Sequence, residues 1–319
     1  MVTQTATTSD VPILERETTS VALTPRELIW RRFRKHRMAM LGMIGFILLL
    51  IFIVIGSVLV TEEKANVVDP AGRLSPPSAE HWMGTDSTGR DLFARIIHGG
   101  QISLLVGILA VILSVSAGTV IGGVAAFYGG WVDSILMRFT EAMLSIPSLF
   151  LLIVLGKYFG KDVQSIEIFG RTFSGSVAIV ILVIGLTSWM VLARIVRANV
   201  LSLKEMDYIS ASKALGANNT QIFFRHLIPN TMGAIIVAST LGLAGAILSE
   251  AYVSFLGLGV QPPTASWGNM LTQAQQFIQR GSWWMWVFPS LFIVFTILSI
   301  NLVGDGLRDA FDPRSSRHL

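Results

Sequence analysis

The chain has 319 residues, 52% of them hydrophobic and only 14% charged, with 24 Lys and Arg against 20 Asp and Glu for a net charge of +4. A soluble domain carries about 25% charged residues, so this composition excludes a water-facing globular surface and fits one that faces lipid. The absence of cysteine excludes disulfides, thiolate metal sites and cysteine nucleophiles, and the positive balance is read from where Lys and Arg fall, not as a nucleic-acid footprint.

Residues 1–24 are polar and rich in Thr and Ser, with Asp10, Glu15 and Glu17 and no apolar core. They predict a flexible cytoplasmic tail, not a signal peptide. Residues 25–60 hold a basic segment and the first span: Met38–Val60 is free of charge and long enough for a bilayer core that needs about 20 apolar residues. Residues 61–101 form an outer loop in which Leu92, Phe93, Ile96 and Ile97 recur at helical spacing, predicting an amphipathic helix along the outer surface.

A core of five further spans follows within 102–305. They are expected at 102–127, 134–155, 176–193, 232–255 and 284–303, and the tail 306–319 is cytoplasmic. The third is the weakest, because Arg138, Glu141 and Pro147 interrupt it. Arg138 and Glu141, three apart, can pair on one helix face. Gly118, Gly122 and Gly123 have the spacing that lets two helices approach closely. The fold class is thus an all-α polytopic membrane protein of six transmembrane helices.

Orientation follows from the basic residues near the span ends. Arg26, Arg31, Arg32, Arg34, Lys35 and Arg37 precede the first span and hold the N-terminus inside, where Arg32, Arg34 and Lys35 can also meet anionic lipid. Six crossings then place Arg194, Arg197, Lys204, Lys213 and Arg225 inside, with Arg308, Arg314 and Arg317 after the last span. Both termini are cytoplasmic on this reading. Trp283, Trp284 and Trp286 fall where an outer aromatic belt belongs. The outer stretch 257–283 carries Met270, Leu271, Ala274, Phe277 and Ile278 on one helical face.

The inner loop 198–231 contains SLKEMDYISASKALGANNTQIFFRHLIPN. Asp207 can cap a short helix through about Leu215, with Tyr208, Ala211 and Leu215 on one face. Gly216 supplies a stop, Asn218 or Asn219 caps a second short helix, and Pro229 marks the boundary before the fifth span. The plain alternative is an ordinary connector. Gly84–Gly89 has P-loop glycine spacing, but Arg90 and Asp91 stand where Lys and Ser or Thr would be needed. Glu250 lies inside the fifth apolar run, a costly place for a carboxylate. It reads either as an outer gate or pathway residue, or as a carboxylate solvated or hydrogen-bonded within the bundle.

The inner loop resembles the EAA coupling loop of ABC-importer permeases. Ala211, Gly216 and Pro229 are in register, while Ser210 stands in place of the usual Glu, Ser212 of the second Ala, His226 of the Ile and Ile228 of the Leu. Three further stretches, HWMGTDSTGRDLFARIIHGGQISL before the second span, SEAYVSFLGLGVQPPTASWGNML after the fifth and LVGDGLRDAFDPR in the tail, look like signatures of the C-type permease of dipeptide and oligopeptide importers, the DppC/OppC group. The resemblance covers essentially everything after residue 25.

It implies a type I ABC importer permease of MetI-like fold, in a bacterial or archaeal cell (inner) membrane. Such a chain is a non-catalytic translocation subunit that binds no cofactor. ATP and Mg would sit on two partner ATP-binding subunits, beside a homologous B-type permease forming a heterodimer, an extracytoplasmic substrate-binding protein and membrane lipids; no nucleic acid is involved. The coupling loop would use Asp207, Tyr208, Ser210, Ala211, Ser212, Leu215, Gly216, Ala217 and Pro229, with Ser210 unable to form the usual ion pair. Glu250, Ser254 and Phe255 are candidate gate or pathway residues. Alternatives are a permease of the same family carrying a nickel complex or oligosaccharide, and an ion-coupled secondary transporter. The latter is expected to show internal repeats or broken helices around ion ligands, of which only Glu250 is a candidate.

Overall fold

The computed structural model describes residues 24–159, 166–168 and 171–312. The expected tails, but for Thr24 and residues 306–312, lie outside the described residues, and Arg314 and Arg317 of the charge argument with them. Helix α1 (Pro25–Lys35) opens with a capping box in which Thr24 and Glu27 exchange hydrogen bonds. His36 breaks the chain and caps α2 (Arg37–Leu59), its Nδ1 accepting from Ala39 N at 3.0 Å. A short α3 (Glu62–Asn66) leads into a polar loop, and α4 (Leu92–Tyr128) follows.

After α4 come α5 (Gly130–Ser145) and α6 (Ser148–Phe159), bent at 75° around Ile146 and Pro147. A two-stranded antiparallel hairpin, β1 (Ile166–Ile168) with β2 (Arg171–Phe173), leads to α7 (Gly175–Lys204). Then come α8 (Asp207–Ala214), the one-turn α9 (Asn219–Gln221) and α10 (Ile228–Phe255), followed by α11 (Trp267–Ala274) and α12 (Trp284–Phe311). Apart from the hairpin, the described residues are helical or irregular.

Five helices among the described residues are long and apolar enough to cross a membrane, and the bent α5–α6 pair supplies a sixth. Contacts at the ends show why α5–α6 must return the chain. Lys204 Nζ, at the end of α7, donates to Phe127 O near the end of α4 at 2.8 Å. The starts of both helices meet the opposite end of the bundle, α4 through Asp91 and α7 through Ser176, whose Oγ accepts from Gln261 N at 3.0 Å. Helices α4 and α7 therefore run the same way.

Their packing depends on small residues. A Cβ at Gly118 would lie 2.8 Å from Trp189 O, and one at Gly122 would overlap Ala193. In lipid, burying apolar surface between helices gains little, so close backbone approach has to hold them together. Helix α2 illustrates the other side of that rule, since Leu41, Ile44, Leu48, Ile51 and Val58 are exposed on its outward face.

Both ends of the described chain lie at one end of the bundle. Arg32 Nη1 donates to Asp312 O at 3.0 Å, and His36 Nε2 lies 3.4 Å from Asp309 Oδ2. The loop between α7 and α10 shares that end, because Gly233 of α10 faces Phe311.

Three expectations change. Residues 92–101 do not lie along the surface as a separate amphipathic helix. They are the first turns of α4, with Leu92 and Ile96 buried in a cluster with α11 and α12 and Ile97 buried against Gly56 of α2. Pro229 does not mark a boundary before the fifth span either. A π-helical turn over Ile222–Leu227, with Ile228 N donating to Phe223 O, absorbs the missing Pro donor and runs into α10. Of the tryptophans placed in a belt, Trp283 and Trp286 are exposed. Trp284 is buried, its Nε1 donating to Thr85 O at 3.1 Å.

Candidate functional site

Two constructions stand out, one at each end of the bundle. At the end shared with the termini, α8 is anchored through Ile209, which is fully buried against Ile222, Leu227 and Val200. Its remaining side chains turn away. Tyr208 is 41% exposed and Leu215 89% exposed, and Ser210 and Ala211 are exposed beside them. The expected face of Tyr208, Ala211 and Leu215 thus exists and is not covered by the described residues.

The loop is rigid nonetheless. Gly216 N donates to Lys213 O and Ala217 N to Ser212 O, both at 3.0 Å, a Schellman closure with Gly216 at φ +88°. A Cβ at Gly216 would meet nothing within 4 Å. The glycine is there for its backbone, not for room. Ser212 Oγ bonds back to Tyr208 O at 2.9 Å, and Asn218 caps the next turn by accepting from Gln221 N at 2.7 Å. Asp207 is not the cap: Met206 holds that position and Asp207 is the first helical residue, where its charge favours the helix N-terminus instead.

At the opposite end, Glu250 of α10 is fully buried. Its Oε2 accepts from Ser103 Oγ of α4 and its Oε1 from Ser254 Oγ, each at 2.8 Å. Ser254 Oγ accepts from Val260 N at 3.0 Å, and Ser103 Oγ from Trp267 N at 3.3 Å. One carboxylate therefore ties α4, α10 and the segment that begins α11. Trp267 Nε1 donates to Ile96 O at 3.0 Å, and Thr272 Oγ1 donates to Ser254 O and Phe255 O at 2.8 and 3.0 Å. Asn269 Nδ2 holds the 260–264 turn through Val260 O and Thr264 O. Phe255 is half-buried beside this network.

A second polar hub joins the 61–91 loop to the same end. Asp86 accepts from Thr88 N and Oγ1 at 2.7 Å each, and from Arg90 Nε at 2.8 Å. Arg90 Nη2 reaches Gln273 Oε1 of α11 at 3.2 Å. Burial pushes the Asp86 carboxyl up, but the Thr88 hydrogen bonds and the charges of Arg90 and Arg95 prevail and hold it below the ordinary range. Asp91 caps α4 through Ala94 N and lies 2.8 Å from His81 Nδ1. Gly84 and Gly89 both have positive φ. Their P-loop-like spacing is the turn chemistry that wraps this loop around Asp86.

Sequence reading singled out Glu250 but missed its partners Ser103 and Ser254 as a unit, and missed Asp86, Arg95 and Asn269 altogether. Asp86–Thr88–Arg90 was a findable Asx-type turn. The Ser103 contact carried no local signal, because its partner is 147 residues away. Arg138 and Glu141 pair at 3.3 Å on an exposed face, as their spacing predicted.

Comparison with known proteins agrees with this architecture. Residues 118–317 match the family of binding-protein-dependent transport system inner membrane components, and residues 24–77 match the N-terminal TM domain of oligopeptide transport permease C. The chain is 41% identical over 288 residues to the dipeptide transport system permease protein DppC of Bacillus subtilis, covering 90% of this chain and 85% of that one. It is 38% identical over 283 residues to the oligopeptide transport system permease protein OppC of the same organism, covering 89% and 88%. A solved structure titled as inward facing conformations of the MetNI methionine ABC transporter aligns at TM-score 0.51 and 19% identity, over 68% of this chain and 96% of that one, and shares the fold. The chain is a multi-pass membrane protein of the binding-protein-dependent transport system inner membrane component family, in its dipeptide and oligopeptide permease branch.

Proposed function

We propose that this chain is the translocation subunit of an ATP-driven importer of dipeptides or oligopeptides. It pairs with a homologous permease, two ATP-binding subunits carry ATP and Mg, and an extracytoplasmic binding protein delivers the peptide. The reading rests above all on α8, a short helix locked at its base by Ile209 and closed by Gly216, with Tyr208 and Leu215 left uncovered. An apolar face held rigid at the membrane surface is suited to receive a push from a partner and pass it to α7 and α10.

The basic residues at the same end as α8 support a cytoplasmic position for that end. Ser210 cannot pair with a basic group as Glu would, so the contact here is expected to depend on the apolar side chains of Tyr208 and Leu215. At the other end, Glu250, Ser254 and Phe255 act as an outer gate by holding α11 and the 260–264 turn to α4 and α10. The test is reconstitution of the chain with and without its partners in proteoliposomes. ATP-dependent peptide uptake is expected from the full complex alone. Transport by this chain by itself, indifferent to ATP, would overturn the reading.

A further inference from the structure

Helix α5 is loosely packed, with Thr140 its only buried residue, and that hydroxyl bonds to Leu136 O within the helix itself. Two features fix where it can stand. One is its corner with α4, made of consecutive glycines. Gly129 and Gly130 both have positive φ, +67° and +53°, and a Cβ on either would meet nothing within 4 Å. A corner without side chains leaves α5 room to swing on α4.

The other is an ion pair with α7. Arg197 donates to Asp133 through two parallel bonds, Nε to Oδ1 and Nη2 to Oδ2, both at 2.6 Å. Among the described residues this is the only side-chain polar contact that α5 makes with another helix. The apolar contacts beside it are Phe139 stacked on Trp189, with ring centroids 6.0 Å apart, and Met143 packed on the same cluster. Such contacts tolerate sliding, whereas a paired guanidinium and carboxylate fix direction as well as distance. Neighbouring charges leave the pair intact, since Glu141 is tied to Arg138 at 3.3 Å and Lys204 adds positive charge near Asp133.

Arg197 stands about two turns before the end of α7. Only Glu205 and Met206 separate that end from α8, and Ile209 of α8 packs in one cluster with Val200. A displacement of α8 is therefore carried into α7. At Asp133 it meets a helix that turns on a glycine corner and continues through the 75° bend into α6.

We propose that Asp133 and Arg197 form the clamp that makes the bent α5–α6 span follow α7 when the ATP-binding subunits move α8. The proposal rests on the importer reading above and deepens it. It names the side chains through which the 198–231 loop acts on a span with little packing of its own. Their role is positioning.

The test uses the full complex in proteoliposomes, with dialanine as cargo, and measures peptide taken up per ATP hydrolysed. Asp133→Asn removes the charge at nearly constant shape, and Arg197→Lys keeps the charge but loses the fork. Each is expected to lower the ratio about tenfold, while the ATP-binding subunits still co-purify and ATP is still hydrolysed. Asp133→Arg combined with Arg197→Asp re-forms the pair with its ends exchanged, and is expected to restore at least about half of the wild-type ratio. Arg138→Gln, which breaks the exposed pair on the same helix, should leave the ratio unchanged.

A wild-type ratio in both single variants would overturn the proposal. So would a lowered ratio that the exchanged pair fails to restore. Loss of the folded chain or of its ATP-binding subunits in the single variants would also overturn it, by showing a pair that serves assembly alone. Absence of ATP-dependent uptake in the wild-type complex would instead sink the importer reading, and this proposal with it.

Discussion

Ser103 and Glu250 stand 147 residues apart in the chain and 2.8 Å apart in the structure, joining α4 to α10 at a carboxylate with no solvent exposure. Ser103 Oγ and Ser254 Oγ, which both donate to that carboxylate, in turn accept from Trp267 N and Val260 N and so hold the segment leading into α11. Truncation of Glu250 to Ala strands two buried hydroxyls. Each unsatisfied group costs about 1–3 kcal/mol. Glu250→Ala is therefore expected to melt well below wild type in detergent, and Glu250→Gln, which keeps an acceptor, to fall between them. Three equal melting temperatures would show that the network does not hold the helices.

Gly216 tests the proposed coupling role of the 198–231 loop from the backbone side. Its φ of +88° disfavours any residue with a Cβ, at a cost of about 1–2 kcal/mol, yet nothing nearby would clash. Gly216→Asn is expected to retain most uptake per ATP hydrolysed, and Gly216→Val to lose most of it, while both insert normally. Gly216→Asp tolerates the same backbone as Asn but adds a negative charge at the C-terminal end of α8, and is expected to uncouple hydrolysis from uptake through that charge. Full coupling in the Val and Asp variants would separate this turn from energy transfer.

Leu215 tests the same loop from its surface. At 89% exposure it supports nothing among the described residues. Leu215→Glu should leave the melting temperature of the isolated chain within experimental error, since surface changes of this kind fall within about 0.5 kcal/mol. Co-purification with the ATP-binding subunits should drop sharply. Undiminished co-purification would place the contact elsewhere.

Asp86 sets a pH limit on the loop over residues 61–91. Its folded carboxyl titrates below the ordinary value of 3.8. The stabilisation from its ionised form is therefore complete above that value and is lost as pH falls below it. Limited proteolysis of the loop is expected to be flat from pH 7 to about pH 5 and to rise only below the ordinary carboxylate range. Asp86→Asn should be cleaved faster at neutral pH. A rise already at pH 6 would point to another group.

The bent α5–α6 pair has a direct topological test. Trp131 and Tyr158 sit near its two ends, both largely exposed. Trp131→Cys and Tyr158→Cys are expected to react with impermeant thiol reagents from opposite sides of the membrane. Labelling from one side would make the pair a re-entrant hairpin.

The membrane class, the span positions and the loop at 198–231 were legible in the sequence, because apolar run length, basic flanks and turn residues are local properties. Gly216 and Asn218 could be read for the same reason: each acts on backbone within three residues. The family was legible in stretches of contiguous motif. The far-end architecture was not. Whether residues 92–101 lie on the surface or continue α4 depends on what covers Leu92 and Ile96, and the covering residues come from α11 and α12. Pro229 reads as a boundary from its own chemistry, and only the π-helical turn before it shows that the helix passes through. Glu250 is a costly carboxylate in any sequence. That it is a knot between three segments is decided by Ser103 and Ser254, placed within hydrogen-bonding reach by helix packing that small residues allow. Sequence alone determines which segments enter lipid; tertiary structure determines which polar groups find one another there, because in lipid a lone polar group finds no water to replace a missing partner.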